Sequence, residues 1–404
     1  MISAAALLVA CDSPPPALEF TELPAPAAEG SLAPHLAVTA NDIAVLSWLE
    51  PAADNSHALR YATLEPSGWS PARPVADGRN WFINRADFPS VVPINAEHWA
   101  AHWLVKRPGG SYAYDIAVAI SADRGARWRQ PLTPHRDDTA TEHGFVSLFA
   151  WRGNIGAVWL DGRNMPPDNG GQPRTEGIDK QGGMSLRFAR LDYDGKLLDE
   201  GEIDNRVCDC CQTDVAISGG NPIVAYRDRS SDEIRDISVS RYADGEWSPP
   251  LTVSDDSWQI AGCPVNGPAI AARGEQVLVA WYGAPNRQRR VKVAWSENGG
   301  ATFSDPVIID EGGARGRVDV ELPGDGQAVV SWVARTGKET GELRVRQVSM
   351  SGEMSPVQVI VAGAYSRSSG FPQMVRAGNR LVLAWPEAGE PAQVLTSWAA
   401  LNSD

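Results

Sequence analysis

The sequence predicts an all-β fold, a single β-propeller of four-stranded blades. Three observations predict it. Short β-rich runs alternate with Gly, Pro, Asn and Asp, and no stretch shows sustained helical periodicity. An apolar run that ends in an aromatic residue occurs seven times, and the spacing between successive aromatics is 51 to 67 residues. The chain of 404 residues is also too long for one simple core. The seven aromatics are Trp48, Trp103, Trp159, Tyr226, Trp281, Trp332 and Trp385.

A second element follows five of these aromatics in the same order. It is a turn that carries Trp, Phe or Met and ends in Pro, at residues 68–71, 127–131, 246–250, 302–306 and 353–356. Each repeat is therefore expected to hold four strands, A (inner) to D (outer), with the aromatic near the end of strand B. We expect seven blades, with six as the fallback if one copy is degenerate.

The last repeat ends near Trp398 and leaves room for only three strands. Residues 17–23 are free to supply the missing outer strand, and this closure would remove an exposed sheet edge. The predicted organisation has three parts. Residues 1–11 are a lipoprotein signal segment, residues 12–30 are a tether and closing outer strand, and residues 31–404 are the propeller.

The N-terminal segment carries an apolar run, residues 4–10, that is too short to span a bilayer. Leu-Val-Ala-Cys at residues 8–11 resembles a bacterial lipobox. The resemblance implies that Cys11 is lipidated and that the protein is exported, facing the periplasm or the cell exterior. Contact with the membrane would then come through the lipid anchor only. The alternative is an ordinary tail with a chance cysteine.

The charge balance argues against a nucleic-acid partner. The chain has 36 Lys plus Arg against 50 Asp plus Glu, a net charge of −14, and no sustained basic face. We expect a monomer.

One turn motif carries a resemblance to a known family. Ser121, Asp123, Gly125 and Trp128 match the Asp box, S-x-D-x-G-x-T-W, and residues 296–303 repeat it with Asn298 in the Asp position. The Asp or Asn side chain accepts backbone N–H groups, and Gly takes a positive φ. The motif is similar to that of sialidases and related Asp-box (BNR-repeat) propellers. The resemblance implies their fold and, if the protein is an enzyme, a sialidase-like glycoside hydrolase.

In a propeller the D–A links and B–C loops gather on one face around the channel, here called the mouth face. Candidate ligand-binding arginines on it are Arg85, Arg163, Arg227, Arg229, Arg315, Arg317 and Arg367; Arg287, Arg289 and Arg290 follow Trp281. Guanidinium groups bind carboxylates through two parallel hydrogen bonds, as a sialic or uronic acid requires. Asp87, Asp161 or Asp319 would be the catalytic acid or base if burial raised its pKa. The alternative is that these Arg and Asp residues pair and tie neighbouring blades together.

Four cysteines, Cys208, Cys210, Cys211 and Cys263, are expected in one sector of the mouth face. The repeat places Cys210 and Cys263 at equivalent positions of neighbouring blades. In an oxidising compartment disulfides across the two blades are the first expectation. A Zn or Cu site helped by His143, and a redox-active thiol, are the alternatives.

The sequence thus favours an exported, sialidase-like propeller lipoprotein that binds an anionic glycan or a small carboxylate on its Arg-rich face. It leaves open whether that ligand is hydrolysed by an exo-glycosidase activity. No cofactor is expected outside the Zn or Cu alternative. The competing hypothesis is a non-enzymatic periplasmic scaffold or metal-binding propeller that uses the cysteine cluster.

Overall fold

The computed structural model describes residues 15, 17–165, 183–364, 370–387, 389 and 391–401. These residues form seven antiparallel sheets, and no described helix is long and apolar enough to cross a membrane. Cys11 and the rest of residues 1–11 lie outside the described residues, as does Arg367. The predicted seven-bladed propeller is confirmed, and the six-blade fallback is not needed.

The strands follow the chain blade by blade, after an N-terminal strand β1 (Phe20–Leu23). Blade 1 holds β2 (Leu32–Val38), β3 (Ala44–Pro51), β4 (His57–Glu65), β5 (Gly68–Trp69) and β6 (Arg73–Gly78). Blade 2 holds β7 (Ser90–Pro93), β8 (Trp99–Lys106) and β9 (Tyr114–Ser121). Blade 3 holds β10 (His143–Trp151), β11 (Asn154–Asp161), β12 (Met184–Leu191) and β13 (Leu197–Val207).

The second half of the ring repeats the same order. Blade 4 holds β14 (Asp214–Ser218), β15 (Asn221–Arg227), β16 (Ile237–Ala243), β17 (Glu246–Trp247) and β18 (Leu251–Thr252). Blade 5 holds β19 (Ala269–Arg273), β20 (Gln276–Gly283), β21 (Arg290–Ser296) and β22 (Val307–Ile308). Blade 6 holds β23 (Ala314–Gly324), β24 (Gln327–Arg335), β25 (Thr340–Ser349) and β26 (Gln358–Ala364). Blade 7 holds β27 (Gln373–Ala377), β28 (Arg380–Pro386) and β29 (Val394–Ala400). Two single 3-10 turns, Ala53–Asn55 and Pro285–Arg287, lie in B–C loops.

The ring closes through the N-terminal strand. β1, which lies within residues 17–23, pairs antiparallel with β29 and becomes the outer strand of blade 7, with Phe20 opposite Ala399 and Leu23 opposite Thr396. The two ends of the chain are thereby joined in one sheet, and blade 7 loses the open edge that a three-stranded sheet would expose.

The core lies between the blades rather than at one centre. Seven apolar clusters of buried side chains each join two neighbouring blades, and the cluster between blades 7 and 1 contains Val382 and Leu46. The strand-B aromatics are the largest side chains in this packing; Trp48, Trp159, Trp281, Trp332 and Tyr226 are fully buried. The sequence repeats are therefore arranged around a common axis, because each repeat packs against the repeats before and after it.

The two Asp boxes form the expected tight turns after β9 and β21. Gly125 has a φ of +78°, and its N–H donates to Ser121 Oγ over 2.8 Å, while Asp123 Oδ1 accepts the N–H of Arg127 over 2.9 Å. Asn298 Oδ1 accepts the N–H of Thr302 in the same way over 3.0 Å. Both boxes lie at the opposite ends of strands C from the mouth face, so they shape the fold and not the mouth.

Candidate functional site

A cavity of about 120 Å³ lies on the propeller axis at the start of the inner strands. Most of the blades contribute a residue at the equivalent position of the inner strand to its wall. In each blade one inner-strand residue pairs with the residue that precedes the strand-B aromatic, which gives the ring His35, Ser90, Ser147, Asp214, Ala269, Asp319 and Gln373. Six of the seven, all but Ser90, line the cavity, together with Asp87 and the rings of Phe88 and Phe371.

Three carboxyl groups of this cavity tie neighbouring blades together. Asp87 Oδ1 accepts the N–H of Phe145 over 2.7 Å, which joins the link before blade 2 to blade 3. Asp214 Oδ2 accepts the N–H of Ile270 over 2.8 Å, and Asp319 Oδ2 accepts the N–H of Met374 over 2.6 Å. These bonds satisfy backbone N–H groups of the inner strands. The carboxyls therefore have a structural role, whatever else they do.

Burial of these carboxyl groups shifts their pKa values. Burial raises the pKa of Asp87 and of Asp214 to about 7, against the backbone N–H donors that lower it. Burial, then the charge of Asp214, raises the pKa of Asp319 well above its usual range. The condition that the sequence analysis placed on Asp87 and Asp319 as general acids, a raised pKa, is met. Their catalytic role stays a prediction.

Behind Asp87 a tyrosine hydroxyl joins two carboxyls. Tyr114 Oη lies 2.9 Å from Asp87 Oδ2 and 2.9 Å from Glu142 Oε1. One phenolic proton serves only one of the two bonds, so the other bond requires a proton on a carboxyl. Tyr114 Oη thereby links Asp87 to Glu142. Phe82 stacks on the Tyr114 ring at 4.1 Å and keeps it in place.

A group of charged and titratable residues lies next to Tyr114. We call it the blade 2–3 cluster, and its members are His135, Asp137, His143, Asp161 and Arg163. Arg163 binds Asp161 through two parallel hydrogen bonds, both 2.7 Å. Although burial raises the pKa of Asp161, the hydrogen bonds from Arg163 and the charge of His143 outweigh burial and hold that pKa below its usual range. Asp161 therefore does not meet the condition set for a general acid. It pairs with Arg163 of the same B–C loop, and Arg163 also lies 3.2 Å from Asp137 of the link between blades 2 and 3.

The pKa values of the two histidines of the blade 2–3 cluster are shifted in opposite directions. His143 has an acceptor at each ring nitrogen, the Tyr114 carbonyl at 3.1 Å and Asp137 Oδ2 at 3.2 Å. Burial lowers the pKa of His143, but the hydrogen bond to Asp137 and the charges of Asp161 and Asp137 outweigh burial and raise that pKa above its usual value. His135 stacks on it at 3.8 Å, and burial and the His143 charge lower the pKa of His135 to about 4.

This placement removes His143 from the predicted metal site, because it lies in the blade 2–3 cluster and not among the sulfurs. Ligand atoms of Asp137, His143 and Asp161 do lie within 4.8 Å of one another. The guanidinium of Arg163, however, already occupies Asp161 and lies 3.2 Å from Asp137 Oδ1. The two imidazole planes are also nearly parallel, at 5°, and so cannot both point their nitrogens at one ion. We therefore assign no metal to the cluster.

Most of the predicted arginines form hydrogen bonds or ion pairs within the protein. Arg227 is buried, and its Nε, Nη1 and Nη2 donate to the carbonyls of Asn266, Arg235 and Tyr282 over 2.8, 2.6 and 2.6 Å. Its guanidinium also lies 4.9 Å from the centre of the Trp258 ring. Arg227 thus ties blade 4 to blade 5.

Two further predicted arginines also have partners within the protein. Arg317 is buried, donates to the carbonyl of Gly370 over 2.5 Å and lies 5.2 Å from the centre of the Phe371 ring. Arg229 pairs with Asp209 at 3.0 Å and with Glu233 at 2.8 Å. Arg85 and Arg315 are half-buried. None of the six described arginines of the predicted set lines the axial cavity, so they do not converge there.

Two exposed arginines, Arg287 and Arg289, lie on the mouth face near Arg315. We call Tyr282, Arg287, Arg289 and Arg315 the blade 5–6 basic patch. Arg287 and Arg289 are exposed in the B–C loop of blade 5, and within the described part of the chain neither forms an ion pair. Burial raises the pKa of Tyr282, while the charges of Arg289 and Arg315 and a hydrogen bond with Arg289 oppose the rise. The repeat predicts Arg287 and Arg289 on this face, but no sequence signal separates them from the arginines with structural partners.

The cysteine sector joins the links that precede blades 4 and 5. Cys210 and Cys263, the equivalent positions, form a disulfide with a Cα–Cα distance of 6.1 Å. Cys208 and Cys211 are buried thiols with their Sγ atoms 2.9 Å apart. Burial raises the pKa of Cys208, but its hydrogen bond with Cys211 and the charge of Arg235 outweigh this and lower that pKa to about 7.

Comparisons with known proteins find similar folds among solved structures but no matching sequence family. No family model matches the chain, and no curated protein matches it. An ulvan lyase solved with bound -[GlcA(1-4)Rha3S]- superposes with a TM-score of 0.58 at 11% identity, covering 93% of this chain and 95% of that chain. The phage phi92 endosialidase gives a TM-score of 0.50 at 11% identity, covering 96% of this chain and 70% of that chain.

A Hadza microbial sialidase gives a TM-score of 0.47 at 12% identity, covering 75% of this chain, and this chain spans only 63% of that one. At such identities the likeness shows the fold alone. The chain has the fold shared by sialidase and polysaccharide-lyase β-propellers.

Proposed function

We propose that this protein binds an anionic glycan on its mouth face, with the blade 5–6 basic patch holding the acidic groups. The observation that carries the proposal is the division among the arginines. Those with backbone or carboxylate partners stabilise the propeller, whereas Arg287 and Arg289 present exposed guanidinium groups with no ion pair among the described residues.

The chemistry of the patch suits carboxylate or sulfate groups on a sugar. A guanidinium donates two parallel hydrogen bonds to such a group, and Arg is weakly hydrated compared with Lys. The net charge of −14 repels a polyanion at long range, so the attraction has to be local and close. The ulvan lyase supports this ligand class, since its bound oligosaccharide carries a uronic acid and a sulfated sugar.

Binding to a panel of glycans tests the proposal. The panel contains a polyuronate, a sulfated polyuronate, a sialylated oligosaccharide and a neutral glucan, measured by calorimetry at fixed ionic strength. The double variant Arg287→Gln/Arg289→Gln should weaken binding of the acidic glycans by at least about tenfold, because two charge-assisted contacts are lost. Its melting temperature should not change, since both side chains are exposed.

Arg273→Gln is the matched control. Arg273 is also an exposed arginine, but it lies at the far end of the inner strand β19, away from the mouth face, and pairs with Asp325 at 2.6 Å. Its substitution should leave glycan affinity unchanged. Absence of binding to every acidic glycan, or equal losses in the double variant and the control, would refute the proposed function.

Turnover of the bound glycan is a second proposal, an exo-glycosidase activity with Asp87 as general acid. It is supported by the raised pKa of Asp87, about 7, at the wall of the axial cavity. Asp87→Asn should abolish release of reducing sugar while glycan affinity is kept. Because Asp87 also binds the N–H of Phe145, the melting temperature has to be measured in parallel. Full activity of a folded Asp87→Asn variant would exclude this role.

The proposed setting is outside the cytoplasm, with a lipid on Cys11. The Cys210–Cys263 disulfide supports an oxidising compartment. Mass spectrometry of the mature N-terminal peptide from the native host tests this. A diacylglyceryl group on Cys11 is expected, and an unmodified peptide that includes residues before Cys11 would contradict it.

A further inference from the structure

The cysteine sector holds two pairs of sulfurs in different states. Cys210 and Cys263 are bonded, whereas Cys208 and Cys211 are thiols. Cys208 and Cys211 are three residues apart, so the segment Cys208-Asp-Cys-Cys211 contains the C-x-x-C spacing common to dithiol pairs that open and close reversibly. The glycan proposal uses none of these four residues.

The buried pair is arranged for reaction. The Sγ atoms of Cys208 and Cys211 lie 2.9 Å apart, and Nη1 of Arg235 lies 3.3 Å from Cys208 Sγ. Arg235 is itself fixed by Glu233 at 2.8 Å. A guanidinium beside a sulfur favours the thiolate, which is the form that attacks a disulfide.

The bonded pair lies next to the thiols and reaches the surface. The sulfurs of Cys208, Cys210 and Cys211 all lie within 4.8 Å of one another. Cys210 is half-buried, and Cys263 is exposed. Cys208 and Cys211 have no such access, since both are buried. Any exchange of the buried pair with solvent reagents would therefore pass through Cys210 and Cys263.

We propose that the four cysteines form a thiol–disulfide relay, in which the buried pair Cys208/Cys211 takes over the disulfide of the exposed pair Cys210/Cys263. The Cys208 thiolate attacks Cys210, the Cys208–Cys210 bond forms, and the Cys210–Cys263 bond breaks to leave a Cys263 thiolate. The Cys211 thiol gives its proton to that thiolate, and the Cys211 sulfur then attacks Cys208.

The second attack forms the Cys208–Cys211 bond and releases Cys210 as a thiolate. Cys210 takes from solvent the proton that Cys208 gave up before the first step. Atoms and electrons balance within the chain, so the exchange needs no external oxidant or reductant. The result is a disulfide inside the protein and a dithiol at its surface, where another thiol or disulfide can react with it.

Trapping of the exposed thiol tests the relay on the full chain. The experiment starts from protein with one disulfide and two thiols per chain. If the isolated protein has two disulfides, one equivalent of a phosphine reductant converts it to this form. Iodoacetamide is added to the native protein, samples are taken over time, and the remaining thiols are labelled with heavy iodoacetamide after acid denaturation. Peptide mass spectrometry then locates every cysteine. The relay predicts light label on Cys263 and Cys210 together with a Cys208–Cys211 disulfide.

Two variants separate the relay from slow opening of the disulfide. Cys211→Ser removes the second step and should abolish the Cys208–Cys211 product. Arg235→Gln should slow capture of Cys263 by about tenfold or more, and Arg235→Lys, which keeps a charge near Cys208, should restore part of the rate. The proposal fails if native wild-type protein keeps the Cys210–Cys263 bond while Cys208 and Cys211 take only the heavy label. It also fails if the thiols hold a stoichiometric metal ion in the purified protein.

Discussion

Arg227 provides the sharpest test of the distinction between structural and ligand-binding arginines. Arg227→Met keeps the aliphatic bulk over Trp258 but removes the three donors to the carbonyls of Asn266, Arg235 and Tyr282. A hydrogen bond from a charged donor contributes about 1.5–3 kcal/mol, and losses in one group are not additive. Because three buried acceptors lose their partner, we expect a destabilisation of about 4 kcal/mol.

The expected shift in melting temperature follows from the size of the chain. At about 2.1 cal/mol/K per residue, unfolding of 404 residues carries an entropy of about 0.85 kcal/mol/K, so Tm should fall by about 5 °C. Calorimetry of Arg227→Met beside Arg273→Met, an exposed arginine, measures it. A Tm unchanged in Arg227→Met together with lost glycan binding would refute the reasoning, because Arg227 would then serve the ligand and not the fold.

Three further predictions concern the inner ring, the disulfide and a close backbone approach. The pKa of Asp214 is raised from 3.8 to about 7, so its contribution to stability is present below pH 4 and is lost as the pH rises through 7. Wild type should therefore lose up to about 4 kcal/mol more than Asp214→Asn between pH 4 and pH 8 in urea titrations, and parallel curves would contradict this. Cys263→Ser opens a loop of 53 residues and should cost about 4 kcal/mol, which reduction of Cys210–Cys263 in wild type should match. Gly267→Ala should cost about 2–3 kcal/mol or more, because its Cβ would collide with backbone, while Gly363→Ala, with open space around it, should stay within about 0.5 kcal/mol; equal Tm values would argue against the packing.

The architecture could be predicted because its signal repeats in the chain. The strand-B aromatics fill the space between adjacent sheets, so their spacing reports the blades directly. The role of residues 17–23 followed from the shortage of one strand after Trp398, and β1 does pair with β29. The Asp boxes at Asp123 and Asn298 could also be predicted, because their hydrogen bonds join residues that are close in sequence.

The site was harder to predict because its partners come from links that do not repeat. Arg227 and Arg289 both follow a strand-B aromatic, yet Arg227 turns inward because blade 5 offers it carbonyl groups, whereas Arg289 stays exposed. His143 was expected beside the cysteines only in the alternative metal site, and Asp137, in the irregular link before β10, binds it elsewhere. The C-x-x-C spacing of Cys208 and Cys211 was a signal in the sequence that could have separated the two cysteine pairs.

The mouth face is proposed to bind acidic sugars through the blade 5–6 basic patch. A crystal structure of the protein with an oligosaccharide that carries uronic acid or sulfate groups would locate the ligand. We expect carboxylate or sulfate oxygens within hydrogen-bonding distance of the guanidinium groups of Arg287 and Arg289. A ligand seated on the Asp-box face, or one on the mouth face that touches neither arginine, would contradict it.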